Sequence, residues 1–303
     1  MKVCLGIDIG GSHLKYALGS RELGLLISSS IPTPTSDLSS FKAAFRQIVE
    51  TVHSSQPDHR ISAIGIGTPG TIDLERGQIR GVNPNLPFWT GQDPASLIPK
   101  ELSIPVACDN DANLMALAEA FECEDQQAIL GITVGTGIGS GFVYQGKIFH
   151  GGRGFAMELG HVCMVPDGAL CNCGLQGCLE AYSSLSGIRK RAAALDRAYA
   201  KLDPLALLEL AGRNQELAAL IEEGRIMLCR ALSNAIITLD PKQLIIGGGC
   251  MDGGLYSISS LEHDIRALLP EVNQHLEVKS AKLGNQAGVW GAIMLAEALI
   301  SET

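Results

Sequence analysis

The spacing of apolar residues changes period several times along the chain, and each change marks an element. Leu5-Gly6-Ile7-Asp8-Ile9 is apolar and β-rich, runs into Gly10-Gly11-Ser12, and is followed by an alternating stretch from His13 to Leu18. Strand, glycine-rich turn and strand in that order read as a β-hairpin. The pattern recurs about 125 residues later, with Leu130-Gly131-Ile132-Thr133-Val134 entering Gly135-Thr136-Gly137 and Ile138 to Tyr144 leaving it. Between the hairpins, Phe41, Phe45, Ile48, Val49 and Val52 recur at helical spacing, predicting an amphipathic helix over Asp37 to His53. Ile61 to Gly67 reads as a short buried strand closed by the turn Thr68-Pro69-Gly70, and Val106 to Cys108 as another strand end. Helices are predicted over Asp111 to Phe121, Ala192 to Ala211, Glu216 to Leu239 and Gly288 to Ala298. Leu244 to Ile246 is a strand entering Gly247-Gly248-Gly249. Strands alternating with helices place the chain in the α/β class, and a repeated opening hairpin suggests two similar α/β domains.

Composition narrows the function classes. A length of 303 residues with 46% hydrophobic content is enough for one large or two medium cores. The net charge of −9 and the sequence pI near 5.3 argue against a nucleic-acid partner, whose phosphate backbone rewards basic surfaces. No apolar run reaches the roughly 18 residues that a membrane helix needs. Asp8 interrupts the stretch where a signal peptide needs its apolar core, so a cytoplasmic, reducing location is expected. Nine cysteines, an odd number, fit thiols and metal better than a disulfide set.

Candidate chemistry clusters in a few runs. His161, then Cys171, Cys173 and Cys178, form a Cys3His set typical of closed structural zinc sites. Glu158 and Glu180 bracket it, which suggests a metal that shapes a polar pocket. Asp8-Ile9-Gly10-Gly11-Ser12 is a candidate phosphate loop: a turn without side chains lets backbone N–H groups approach an anion, and Asp8 at the strand end could hold magnesium through water. Gly135-Thr136-Gly137 is a second such loop, with Thr136 adding a hydroxyl donor. Gly65 to Gly70 formally fits G-x-G-x-x-G, but Pro69 sits where a helix should start, so the segment reads as structural. Asp109-Asn110-Asp111-Ala112-Asn113 joins a strand end to a helix start. A carboxylate fixed there suits proton acceptance during phosphoryl transfer, and Asp109 reads as a helix cap. Lys15 reads as solvated. His13, His53, His59, His150, His263 and His275 read as surface or packing residues.

The run E-x-G-H, nine residues, C-x-C-G-x-x-G-C-x-E from Glu158 to Glu180 resembles the signature of the ROK family of repressors and sugar kinases at every fixed position. The D-x-G-G-[ST], G-T-G-x-G and N-D-A-N segments extend the resemblance from Asp8 to Ala292. It implies an α/β, two-domain actin-like ATPase (ribonuclease H-like) fold with a central cleft for nucleotide and sugar. The expected division is a small domain over 1–115, completed by the C-terminal helix 290–303, and a larger domain over 116–289 that carries the zinc loop. The resemblance further implies transfer of phosphate from ATP to a hexose, by analogy at the 6-hydroxyl, with Asp111 as general base. Asn85, Asn110, Asp111, Glu158, His161 and Glu180 would contact the sugar. Asp8, Gly10, Gly11, Ser12, Gly135, Thr136 and Gly137 would hold the triphosphate with Mg2+, and Gly247, Gly248 and Gly249 would lie at the adenosine end. One nitrogen of His161 would bind structural Zn2+ and the other a sugar hydroxyl. A cytoplasmic homodimer is expected from the same resemblance. Glucose is the first expectation for the sugar, with allose, fructose, mannose and N-acetylhexosamines as alternatives. A sugar-responsive transcription factor is disfavoured, because only seven residues precede Asp8 and a helix-turn-helix domain would need many more.

Overall fold

The structure is a computed structural model that describes residues 2–81, 86–123 and 127–301 of the chain. Two compact units divide it. Met1–Phe121, Ile148–Ala156 and Asn285–Thr303 make the first, and Glu122–Lys147 with Met157–Gly284 the second.

In the first unit, β1 (Val3–Ile9) and β2 (His13–Ser20) form the predicted hairpin, and β3 (Gly24–Pro32) extends it. β4 (Ile61–Thr68) joins β1 in parallel. A separate two-stranded hairpin of β5 (Thr71–Asp73) and β6 (Gln78–Arg80) follows. β7 (Val106–Asn110) then completes the sheet in parallel with β4, in the order β3-β2-β1-β4-β7. Helix α1 (Leu38–Ser55) starts where Asp37 accepts the Ser40 N–H at 2.8 Å, satisfying one of the free amides of a first turn. Its apolar stripe is the predicted one, and Phe41, Phe45, Ile48, Val49 and Val52 are all buried. Phe41 meets Trp89 with ring centroids 5.0 Å apart, and the Trp89 indole N–H donates to Thr68 Oγ1 at 2.8 Å. The opposite face of the sheet takes the C-terminal helix (Ala287–Ser301). That helix approaches so closely that a Cβ on Gly65 would lie 1.8 Å from the Ala292 carbonyl oxygen. Gly65 is therefore a packing glycine, as expected for this segment.

The second unit repeats the arrangement. β8 (Ala128–Val134) and β9 (Ile138–Tyr144) form the second hairpin, with β10 (Lys147–Ile148) at the edge. β11 (Gln243–Gly247) and β12 (Glu277–Ser280) add in parallel, so the order β10-β9-β8-β11-β12 matches the first sheet strand for strand. Helices α3 (Glu180–Ser183), α4 (Leu185–Ala192), α5 (Pro204–Ala211) and α6 (Gln215–Leu239) pack beside it. The continuous helix expected over Ala192 to Ala211 is not formed. Asp196 caps a 3-10 turn over Arg197–Lys201, Asp203 accepts the Ala206 N–H at 2.8 Å, and Pro204 opens α5. Two capping aspartates and a proline without an N–H start new helices rather than continue an old one. Among the described residues, no helix is long and apolar enough to cross a membrane.

Candidate active site

In the first unit the candidate residues Asp109, Asn110 and Asp111 sit at the carboxyl end of β7 and the start of the next helix. Asp111 opens α2 (Asp111–Phe121), partly buried, with Oδ1 accepting the Ala112 N–H at 2.9 Å. Asn110 caps this helix. Its Oδ1 accepts from Ala112 N (2.9 Å) and Asn113 N (3.3 Å), and its Nδ2 donates to the Gly70 carbonyl at 3.1 Å. Among the described residues, one amide hydrogen of Asn110 has no partner and could serve a ligand. Asp109 is 4% exposed and more heavily engaged than a simple cap. It accepts from Asn110 N at 2.7 Å and from Asn113 Nδ2 at 2.9 Å, while its second oxygen meets His150 Nε2 at 2.6 Å. His150 is thus a paired residue, not a packing one. The Asp109 carboxylate holds the imidazole pKa above its usual value, partly opposed by burial. The only hint in the sequence was a histidine opening the glycine-rich His150-Gly151-Gly152 run.

Asp8 lies near the end of β1 with its side chain 13% exposed. Burial raises its carboxyl pKa, and the Lys15 ammonium, 4.0 Å away, pulls the other way. Lys15 also donates to the Asn285 carbonyl at 3.3 Å, so it has two partners rather than solvent alone. Gly288 leaves the room for this carboxylate, since a Cβ there would stand 2.7 Å from Asp8 Cγ. A buried acid with one distant cation suits a site for a divalent ion. In the following turn the Gly10 amide is committed to His13 O at 3.0 Å, which takes it out of the predicted set of anion donors. Gly11 and Ser12 are exposed at the tip. Asn85, with Asn83 and Pro84, lies outside the described residues.

In the second unit two glycine turns stand side by side. Gly135 N donates to Gly137 O at 2.9 Å, and α4 supports the loop from behind, with Leu185 N on Gly135 O (2.8 Å) and Ser186 N on Thr136 O (3.2 Å). Thr136 is left exposed at the tip. Gly248 has φ +101°, and a Cβ on it would fall 2.6 Å from the Val134 carbonyl oxygen, so only glycine lets β11 turn against the end of β8. A Cβ on Gly135 would lie 3.6 Å from Gly249 N, which sets the two turns next to each other. Glu180 is tied into the same loop. Its Oε2 accepts the Ile138 N–H at 2.9 Å and fills the space that a Cβ on Gly137 would need. Nothing in the local pattern announced that contact.

The four predicted metal ligands converge. One ligand atom each from His161, Cys171, Cys173 and Cys178 lie within 4.8 Å of one another. Cys173 and Cys178 sulfurs are 3.7 Å apart, and Cys171 Sγ is 3.8 Å from His161 Nδ1. Ligands about 2.3 Å from a tetrahedral zinc stand about 3.8 Å apart, so the donor set and its spacing fit the ion. The Nδ1 edge of His161 faces the sulfurs, while its Nε2 stands 3.9 Å from Glu158 Oε2. That gap is too long for a hydrogen bond. Burial pushes the Cys171 thiol up to about 12 in the absence of a cation.

The comparisons with known proteins agree with this geometry. The model of the ROK family matches residues 4–299. The chain belongs to the ROK family. Among curated ROK relatives, the glucokinase of Thermotoga maritima is 31% identical over 307 residues, covering 95% of each chain. Among solved ROK structures, the hexokinase of Thermus thermophilus is 29% identical with a TM-score of 0.83, covering 99% of this chain and all of that one. The ROK glucokinase of Streptomyces griseus, solved with glucose and AMPPNP, is 29% identical with a TM-score of 0.77, covering 98% and 99%. The fold is the mixed α/β actin-like ATPase fold of these ROK sugar kinases.

Proposed function

We propose that this chain is an ATP-dependent sugar kinase that phosphorylates a hexose, with glucose as the first choice. The observation that carries the reading is Asp111 at the junction of a β-strand and a helix N-terminus that its neighbour Asn110 caps, in a chain that matches the ROK family over nearly its whole length. Asp111 takes the proton of the attacking hydroxyl, by analogy the 6-OH, as the phosphoryl group transfers. Asn85, Asn110, Glu158, His161 and Glu180 hold the sugar. In this reading Asn110 and Glu180 have a second task, since each also fixes a backbone turn. Asp8 would hold magnesium, whose charge would offset that of the triphosphate. Gly11, Ser12, Thr136 and Gly137 approach the phosphates, and Gly247, Gly248 and Gly249 lie toward the adenosine. His161, Cys171, Cys173 and Cys178 would hold structural zinc, which would fix the tautomer of His161 and leave its Nε2 for a sugar hydroxyl. A cytoplasmic homodimer belongs to this proposal on family resemblance alone. Allose, fructose, mannose and N-acetylhexosamines are the alternative acceptors.

A coupled assay of ADP release with magnesium–ATP and a panel of these sugars tests the reading. One sugar should turn over well, and Asp111→Ala should lower kcat by about 10²–10⁴-fold with the fold intact. Near-normal turnover in that variant would remove Asp111 from the role, and an idle wild-type protein across the whole panel would overturn the sugar-kinase reading.

A further inference from the structure

A fifth thiol stands beside the metal ligands. Cys163 follows His161 by two residues, is exposed, and is not among the four convergent ligands. It pairs directly with Cys178 in an isolated antiparallel bridge. The flanking bonds run from Met164 N to Gly177 O (2.7 Å) and from Leu179 N to Val162 O (2.9 Å). Bonds on both sides of a pair, with none within it, define the non-hydrogen-bonded type of antiparallel pair. Its Cα atoms stand about 4.5 Å apart with side chains on the same face. That spacing lies inside the range of roughly 4.4–6.8 Å that a disulfide spans. Gly177 keeps the approach clear, since Cys163 Sγ is 3.3 Å from where a Cβ on it would be.

The geometry points to Cys163 and Cys178 as an oxidative modification site, a thiol pair that a peroxide converts to a disulfide at the expense of one metal ligand. The inference rests on the zinc reading for its consequence, although not for the bond itself. Cys163 is the exposed partner and reacts first, while Cys178 is 1% exposed. One peroxide oxygen transfers to Cys163 Sγ, the O–O bond breaks, and a sulfenic acid and one water form. The Cys178 sulfur then attacks that sulfur. An S–S bond forms, the S–O bond breaks, and the hydroxide leaves with a proton as a second water. In total the two sulfurs lose two electrons and one hydrogen peroxide becomes two waters; the protons come from the thiols or, where Cys178 is a zinc-bound thiolate whose bond to the ion breaks, from solvent. Cys178 in a disulfide is no longer a thiolate donor, so three ligands remain where four held the ion. His161, freed from the metal, loses the constraint that aims its second nitrogen.

The test uses full-length protein with its metal content measured beforehand, treated with hydrogen peroxide. Zinc released to a chromophoric chelator and non-reducing peptide mapping are followed in wild type and Cys163→Ser, a conservative change at an exposed position. Wild type should release one zinc per chain with a Cys163–Cys178 cross-link as the main disulfide, and dithiothreitol with added zinc should reverse both. Cys163→Ser should release zinc at least about tenfold more slowly. Equal release rates in the two proteins, or a predominant cross-link among Cys171, Cys173 and Cys178, would overturn the proposal. Protein that holds zinc and forms no Cys163–Cys178 bond refutes this site and leaves the zinc reading standing. Protein without zinc that still forms the bond upholds the pair and refutes the zinc reading.

Discussion

Replacing His150 with alanine probes how the junction proposed as catalytic is held. The Asp109 carboxylate is nearly buried and accepts three hydrogen bonds, of which the contact with His150 Nε2, at 2.6 Å, is the shortest. Hydrogen bonds to charged groups contribute about 1.5–3 kcal/mol net. The imidazole is 29% exposed, so water can partly replace it and the low end, about 1.5 kcal/mol, applies. For a unit of roughly 150 residues that corresponds to a fall in Tm of about 3–6 °C. The effect depends on pH with a definite sign. Asp109 raises the His150 pKa in the folded protein, so the charged contribution is fully present below the ordinary imidazole value near 6.5 and is lost as pH rises through the raised folded value. Urea unfolding of wild type and His150→Ala at pH 5.5 and 8.5 should therefore give a larger difference at pH 5.5. His150→Gln, which can still donate but carries no charge, should recover the part that persists at pH 8.5. A destabilisation of the same size at both pH values would refute the charged pairing, and none at either would refute the contact itself. Asp109, Asn110 and Asp111 are consecutive, so kcat should also fall in His150→Ala through a less ordered junction.

The remaining expectations concern the second unit. Gly248→Ala forces a side chain into φ +101° and against the Val134 backbone, a strain of about 1–3 kcal/mol before any clash; thermal unfolding and KM for ATP should both worsen, and an unchanged KM would detach this turn from nucleotide binding. Zinc analysis of the purified protein should find one ion per chain. Because burial pushes the Cys171 thiol up to about 12 without a cation, binding must release protons, and apparent zinc affinity should rise from pH 6 to pH 8; a flat profile would argue against thiolate ligation.

Much of this molecule is written locally. The α1 stripe from Phe41 to Val52 and the helix start at Asp111 follow from periodicity and capping, which act over a few residues. The two glycine hairpins are likewise local, and so is the convergence of His161 with three cysteines, because side chains within eighteen positions are brought together by one loop. The break at Asp196 to Pro204 is also local, because two aspartate caps and a proline override the helical composition of Ala192 to Ala211.

Other features depend on residues that meet only when the sheets assemble. Asp109 finds His150 across 41 positions because Ile148–Ala156 packs with the first unit after the chain has already left it. Glu180 reaches Ile138 across 42, which gives an expected sugar ligand a structural task as well. Cys163 faces Cys178 only through the bridge that closes the metal loop. Gly65 looks like an ordinary strand glycine and Gly248 like an ordinary turn glycine until the Ala292 and Val134 carbonyl groups press against them. Side-chain type and spacing encode which element forms and which face it buries. Which oxygen, sulfur or imidazole then stands opposite another is set by strand register and close packing, and these arise only once distant segments have docked.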